Sequence, residues 1–375
     1  MAIELRTNAE AEKVPCRVMV VDDSAVARGI VTRSLEQEQG IKVVASAPNG
    51  VLALKAMLTH EIDVVVLDIE MPELDGMAAL PRLLAVDPDL KIIMASAASH
   101  RDADIAMRAM AIGAVDFVQK PSAGLGGAEN FRRELIAKVK HHAACRGSGN
   151  VGAKRKALLP SMPAKVVPTV QTRSAGRKKM ERPDIIAIGS STGGPQALAE
   201  VLRNLAPSVR QPILVTQHMP ASFTALLAEH MARYSGRPAS EARDGQVPEP
   251  GHIYIAPGGQ HLVVEPRAAG GIMIRLDDGP PENSCKPAVD PMLRSLARIF
   301  KDRLLAVILT GMGCDGLKGC EEVIAEGGSV LAQDQETSVV WGMPGAVAQA
   351  GLCSEILPLT KIGPAIVRIA GENGK

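Results

Sequence analysis

Three residues with side chains suited to acyl transfer end apolar runs in the later part of this 375-residue chain. Ser191 closes Ile185-Ile186-Ala187-Ile188-Gly189-Ser190 and opens the turn Thr192-Gly193-Gly194. His218 follows Ile213-Leu214-Val215-Thr216-Gln217, and Asp315 follows Val307-Ile308-Leu309-Thr310 and Gly311-Met312-Gly313-Cys314. In a parallel α/β sheet the strand carboxyl ends meet along one edge, where ligands bind. A nucleophile, a base and a carboxylate can therefore converge there, the minimum set for hydrolysis through a covalent acyl-enzyme. Gly189 to Gly193 fits G-x-S-x-G, a strand-to-helix elbow whose register selects Ser191 over Ser190. A phosphate-binding loop is the rival reading, but G-x-G-x-x-G and G-x-x-x-x-G-K-[ST] are both missing here. Taken singly, Ser191 and Asp315 could be helix caps and His218 a strand-end histidine; the three together favour chemistry. His252 and His261 read as structural or surface residues, and no base can be assigned to Cys314 as a nucleophile.

A second constellation lies upstream. Asp22 and Asp23 end one apolar run, Asp68 ends Val64-Val65-Val66-Leu67, Ser96 ends another, and Lys120 follows a fifth. Clustered carboxylates repel one another unless a cation joins them, and hard oxygen ligands suit Mg²⁺. A lysine and a hydroxyl beside them would stabilise a phosphoryl group. Asp22-Asp23-Ser24 alone could be a helix cap; the five residues together are harder to explain so.

The elements that must position these groups follow from hydrophobic periodicity. Runs at Arg17–Val21, Ile41–Ala45, Val64–Leu67, Lys91–Met94 and Asp116–Val118 read as strands. Amphipathic stretches follow each, near Ala25–Gln37, Val51–Leu58, Met77–Val86, Ala103–Ile112 and Glu129–His141, which makes a doubly wound (βα)5 domain over residues 15–143. Residues 144–183 hold prolines and the basic clusters Lys154-Arg155-Lys156 and Arg177-Lys178-Lys179, and read as a flexible linker. Residues 184–372 resume the alternation as a second parallel α/β domain. An antiparallel insert is expected at His252–Ala256, His261–Val264 and Ile272–Leu276, then helix at Ala288–Phe300, strand at Leu305–Leu309 and helix at Gly316–Ala325.

A formal net charge of +1 gives no global pull toward nucleic acid or a membrane surface. No apolar run is long enough to span a bilayer, and the polar segment Met1–Lys13 does not read as a signal peptide. The six cysteines form no C-x-x-C pair, so reduced thiols are expected rather than disulfides or a zinc site.

The first domain resembles a response-regulator receiver. That resemblance implies Asp68 as phospho-acceptor, Asp22 and Asp23 as the acidic pair, Ser96 as the switch hydroxyl, Lys120 as the conserved-type lysine and Phe117 as the rotating aromatic. It adds the Glu70 carbonyl to Asp22, Asp23 and Asp68 as metal ligands, with Mg²⁺ needed for phosphorylation. The second domain resembles the catalytic domain of chemotaxis protein-glutamate methylesterases, the CheB family. The carrying motifs are Thr216-Gln217-His218-Met219-Pro220, Leu309 to Gly316, Pro248 to Gly258, Asp278-Gly279-Pro280-Pro281 and Trp341-Gly342-Met343-Pro344. The order Ser, His, Asp differs from that of α/β-hydrolases.

The family implies that Ser191 attacks a glutamate methyl ester on a membrane chemoreceptor. His218 would move the proton, Asp315 would orient the imidazole, and the Met312 N–H is the oxyanion candidate. It also implies deamidation of receptor glutamines, a histidine kinase as phosphodonor, no cofactor at the hydrolytic site, and a cytoplasmic protein recruited to receptor arrays at the inner membrane. Asn283-Ser284-Cys285-Lys286-Pro287 departs from the more basic Arg-His-Arg-Pro type of stretch common in the family, and Cys314 from a common asparagine or arginine. A receptor-binding adaptor without turnover is the runner-up. A DNA-binding regulator is disfavoured because no helix-turn-helix pattern follows the receiver.

Overall fold

In a computed structural model, residues 15–96, 100–120, 131–143 and 182–371 are described. Of the expected linker, residues 144–181 lie outside this set. The chain divides into two compact units, each built on its own sheet.

The amino-terminal alternation runs β1 (Cys16–Val21), α1 (Ala25–Glu36), β2 (Ile41–Ala47), α2 (Gly50–Met57), β3 (Val64–Asp68), α3 (Gly76–Val86), β4 (Lys91–Ser96), α4 (His100–Ile112), β5 (Asp116–Gln119) and a helix α5 over 131–143. The sheet order is β2-β1-β3-β4-β5. β1 pairs in parallel with both β2 and β3, so the strand order reverses there. A sheet covered on both faces needs unbroken apolar strands; Val64–Leu67 are at most 2 % exposed, which is why that run shows no alternation. Ser24, Asn49 and Asp75 start α1, α2 and α3 by accepting from the N–H groups of Ala27, Leu52 and Ala78.

The second unit contains β6 (Ile185–Ser190), α6 (Gly194–Arg203), β7 (Ile213–Gln217), α7 (Ala221–Ser235), β8 (Ala239–Glu241), β9 (Ile253–Ile255), β10 (His261–Pro266) and β11 (Ile272–Asp277). α8 (Val289–Phe300), β12 (Leu304–Ile308), α9 (Leu317–Ala325), β13 (Ser329–Gln333), α10 (Met343–Gln349), β14 (Glu355–Leu357) and α11 (Leu359–Ala370) complete it. Seven strands form one sheet in the order β14-β13-β12-β6-β7-β9-β8, and every pairing in it is parallel.

The antiparallel insert is smaller than expected. Only β10 and β11 form it, in register from His261 opposite Asp277 to Pro266 opposite Ile272. β9, the expected first strand of the insert, instead extends the main sheet, pairing Ile213 with Ile253 and Val215 with Ile255. Its three residues are completely buried, and burial in the large sheet outweighs the local hairpin signal of the flanking glycines. Among the described residues, no helix is long and apolar enough to cross a membrane, and no disulfide joins the five described cysteines.

Candidate active site

β6 lies at the centre of the seven-stranded sheet, between β12 and β7. The chain leaves β6 toward one neighbour and later returns on the other side, the switch point where α/β sheets open a crevice. Ser191 follows β6, His218 follows β7, and Asp315 lies in the loop between β12 and α9. The sequence separation of the three is thus removed by adjacent parallel strands. Backbone bonds hold these ends together: the His218 N–H donates to Ser190 O at 3.1 Å, and the Ser191 N–H to Thr310 O at 3.0 Å.

The elbow depends on glycine. Gly193 has φ of +74° and starts α6 without a side-chain cap, with Pro195 in the first turn. Gly311 brings the loop after β12 against the elbow. A Cβ there would meet Ser191 Cβ at 2.9 Å and Ser191 N at 3.0 Å, and would overlap Met343 Sδ. The two serines differ sharply. Ser190 is completely buried and its Oγ donates to Gln217 Oε1 at 2.7 Å, while Ser191 is partly exposed. Gln217 also donates to the carbonyls of Ser191 and His218, at 2.9 and 3.1 Å, and so ties the ends of β6 and β7 together.

His218 Nε2 lies 2.7 Å from Asp315 Oδ2. Asp315 is 1 % exposed, yet its carboxylate is well supplied with donors. Val289 N–H and Asp290 N–H at the start of α8 donate at 2.6 and 3.2 Å, Gly316 N–H at 3.0 Å, and Asn283 Nδ2 at 2.9 Å. Burial pushes the Asp315 pKa up, but the bond and charge of His218 and the backbone donors outweigh it, so the carboxyl stays below its ordinary range. For His218, burial pulls the pKa down; hydrogen bonds to Asp315 and Cys285, with their charges, raise it to about 9. The other ring nitrogen, Nδ1, faces Cys285 Sγ at 3.4 Å. Among the described contacts, none joins Ser191 Oγ to His218, a looseness common in triads before substrate binds. Met312 is 37 % exposed at the mouth of this loop.

The acidic residues also come together. Ligand-capable oxygens of Asp22, Asp23 and Asp68 lie within 4.8 Å of one another. Lys120 Nζ reaches Asp22 Oδ2 and Asp68 Oδ1, both at 2.7 Å. Burial raises the Asp68 pKa and outweighs the opposing bond and charge of Lys120. Ser96 is 1 % exposed, and its Oγ is buried with no hydrogen-bond partner among the described residues. An orphaned hydroxyl beside a lysine and three carboxylates fits a phosphoryl oxygen and a hard divalent cation. Phe117 is buried, with Lys138 Nζ 5.0 Å from its ring centre. Glu70 is exposed in the loop that follows β3.

Several residues at the hydrolytic site have contacts that the sequence did not assign to them. Gln217, Asn283 and Asp290 hold the strand ends and the carboxylate, and Cys285 touches the imidazole. Asn283 and Cys285 were marked only as part of a stretch that departs from the family's more basic sequence, and Gln217 only as part of the histidine motif. His261, read as structural, is indeed buried, bonded to Pro280 O at 3.0 Å and accepting from the Ala288 N–H at 3.1 Å.

The chain thus carries a receiver-type sheet with an acidic pocket and a second sheet with a serine, a histidine and an aspartate at its switch point, the arrangement expected of a two-part signalling hydrolase. Family models agree: the response regulator receiver domain matches residues 18–125 and the CheB methylesterase domain residues 186–366. The protein-glutamate methylesterase/protein-glutamine glutaminase of Azospirillum brasilense is 54% identical over 369 residues, covering 96% of this chain and 93% of its own length. A protein of the same description from Paramagnetospirillum magneticum is 52% identical over 371 residues, covering 95% of this chain and 96% of its own. The CheB methylesterase catalytic domain of Thermotoga maritima is 42% identical, with a TM-score of 0.48, and covers 50% of this chain and 98% of its own. The chain belongs to the CheB family of protein-glutamate methylesterases/protein-glutamine glutaminases, and it is an enzyme of that activity with a response-regulator receiver domain.

Proposed function

We propose that this enzyme removes methyl groups from glutamate esters of membrane chemoreceptors through a Ser191–His218–Asp315 mechanism, under control of phosphorylation at Asp68. The observation that carries the reading is the Nε2–Oδ2 bond of His218 and Asp315 beside the Ser191 elbow. With Nε2 committed to the carboxylate, Nδ1 is the nitrogen left to accept the Ser191 proton. Asp315 holds the imidazole in that tautomer and stabilises its cationic form. Ser191 Oγ would attack the γ-carbonyl, and the Met312 N–H is the candidate donor to the oxyanion. His218 would return the proton to the departing methoxy group as methanol. Water, activated by the same nitrogen, would then cleave the acyl-enzyme to glutamate. Deamidation of a glutamine follows the same course with ammonia leaving.

In the receiver, Asp22, Asp23, Asp68 and the Glu70 carbonyl would hold Mg²⁺, which supplies charge neutralisation for the incoming phosphoryl group. Lys120 offsets the charge of the product, and Ser96 supplies the free hydroxyl. A histidine kinase is the expected phosphodonor, and a cytoplasmic protein acting at receptor arrays is the setting this chemistry suits. Methanol release from methylated receptor membranes tests the reading, with loss in Ser191→Ala as the expected result.

A further inference from the structure

One tight turn reaches both members of the histidine–aspartate pair. Glu282 and Cys285 form an isolated antiparallel bridge, with the Cys285 N–H donating to Glu282 O at 2.8 Å and the Glu282 N–H to Cys285 O at 3.1 Å. The two residues between them, Asn283 and Ser284, have φ of 51° and 64°. Consecutive left-handed residues that are not glycine persist only where their surroundings hold them. The surroundings here do so. Arg294 on α8 forks onto the Glu282 carboxylate, with Nη1–Oε2 at 2.9 Å. His261 ties Pro280 O before the turn and the Ala288 N–H after it.

We propose that the Glu282–Cys285 turn is a positioning element for the reaction: Asn283 fixes the rotamer of Asp315, and Cys285 holds the Nδ1 face of His218 in the resting enzyme. This rests on the triad reading above and extends it to residues that flank the triad. Asn283 Nδ2 donates to Asp315 Oδ1 and to Asp290 Oδ2, both at 2.9 Å. It bridges two buried carboxylates that would otherwise repel. Asp290 is 1 % exposed, and its Oδ1 accepts from the Gly319 N–H at 2.7 Å, so its own place is fixed by α9. The Asp315 oxygens are thereby locked, with Oδ2 left facing His218.

Cys285 acts on the other side of the ring. With Nε2–H donating to Asp315, the protonated ring points Nδ1–H at the Cys285 sulfur, 3.4 Å away, so the sulfur acts as acceptor and favours the cationic ring. Nδ1 must lose that proton, and the sulfur contact with it, before it can take the proton of Ser191 when substrate brings the serine into line. The charged or titratable groups the contacts place on this ring are Asp315 and Cys285, with Asp290 behind Asp315.

The test uses the full chain, with Asn283→Ala, Cys285→Ala and the conservative Cys285→Ser. Two readouts are taken: the His218 imidazole titration by NMR, and kcat and KM for methyl-ester hydrolysis across pH. Cys285→Ala is expected to lower the His218 pKa and move the acid limb of kcat/KM to lower pH, with Cys285→Ser between it and the parent. Asn283→Ala is expected to reduce kcat roughly tenfold, the scale of one lost hydrogen bond to a charged group, with KM changed less than about twofold. An unmoved His218 titration in both Cys285 variants, with Ser191 still required, overturns the proposal alone. A moved titration with kcat and its pH dependence unchanged contradicts the triad reading and the proposal with it. Unfolding of Asn283→Ala leaves the two cysteine variants to decide.

Discussion

Ser190 and Gln217, at the adjacent ends of β6 and β7, are joined Oγ to Oε1 at 2.7 Å, a bond that favours Ser191 over Ser190 as the proposed nucleophile. The Ser190 hydroxyl is buried and already donating, whereas Ser191 is partly exposed. Ser191→Ala is therefore expected to keep its circular dichroism and melting behaviour while losing on the order of 10⁴-fold or more in kcat. Ser190→Ala should cost about 1 kcal/mol of stability, the scale of one hydrogen bond, and retain turnover. Loss of turnover in Ser190→Ala with a functional Ser191→Ala would reverse the assignment.

Gly311 makes a separate prediction. Any side chain there would press on the Ser191 backbone and on Met343. Gly311→Ala should displace the elbow and lower kcat by about tenfold to a hundredfold, since small misplacements of a nucleophile are costly. Steady-state kinetics on a variant shown to be folded checks this; an unchanged kcat would mean that the loop relaxes without moving Ser191.

The raised His218 pKa sets a pH dependence. In the proposed mechanism the base is the neutral imidazole, so kcat/KM of the free enzyme should rise with pH up to and through about 9. The sign for stability is opposite. A folded-state pKa above the unfolded value contributes stability that is full below 6.5 and is lost as pH rises through about 9. Asp315→Asn removes the carboxylate that raises the pKa and should move the acid limb to lower pH while lowering its plateau. A pH profile identical in shape to the parent would show that Asp315 does not govern His218.

Much of this was legible from strand ends. Ser191, His218 and Asp315 each follow a largely apolar strand, Asp315 after a short glycine turn, and Asp22, Asp23, Asp68 and Ser96 lie at strand ends in the first sheet, so alternation plus the switch-point rule pointed to them. Asn283, Cys285 and Asp290 were illegible because their roles arise from a turn with left-handed asparagine and serine, which no periodicity announces. β9 was assigned to the wrong sheet for a related reason. Three residues carry no period of their own, and only burial against β7 decides where they pair. Ser190 could be set aside by motif register, but the physical reason, its bond to Gln217, required the fold.

In the receiver, the orphaned Ser96 hydroxyl and the Lys120 bridge to Asp22 and Asp68 predict a Mg²⁺-dependent phosphoryl group on Asp68. Mass mapping after treatment with a small phosphodonor should find one label there. Asp68→Asn, or excess chelator, should abolish it; a stable label elsewhere would contradict the assignment.

The central claim is that one chain couples this receiver to a serine esterase acting on receptors. Methanol release from methylated chemoreceptor membranes, measured with and without Mg²⁺ and a small phosphodonor, tests it most directly. The parent should release methanol faster with the donor, Asp68→Asn should show only the donor-independent rate, and Ser191→Ala should release none under either condition. Release by Ser191→Ala at the parent rate, or stimulation that survives in Asp68→Asn, would contradict the account.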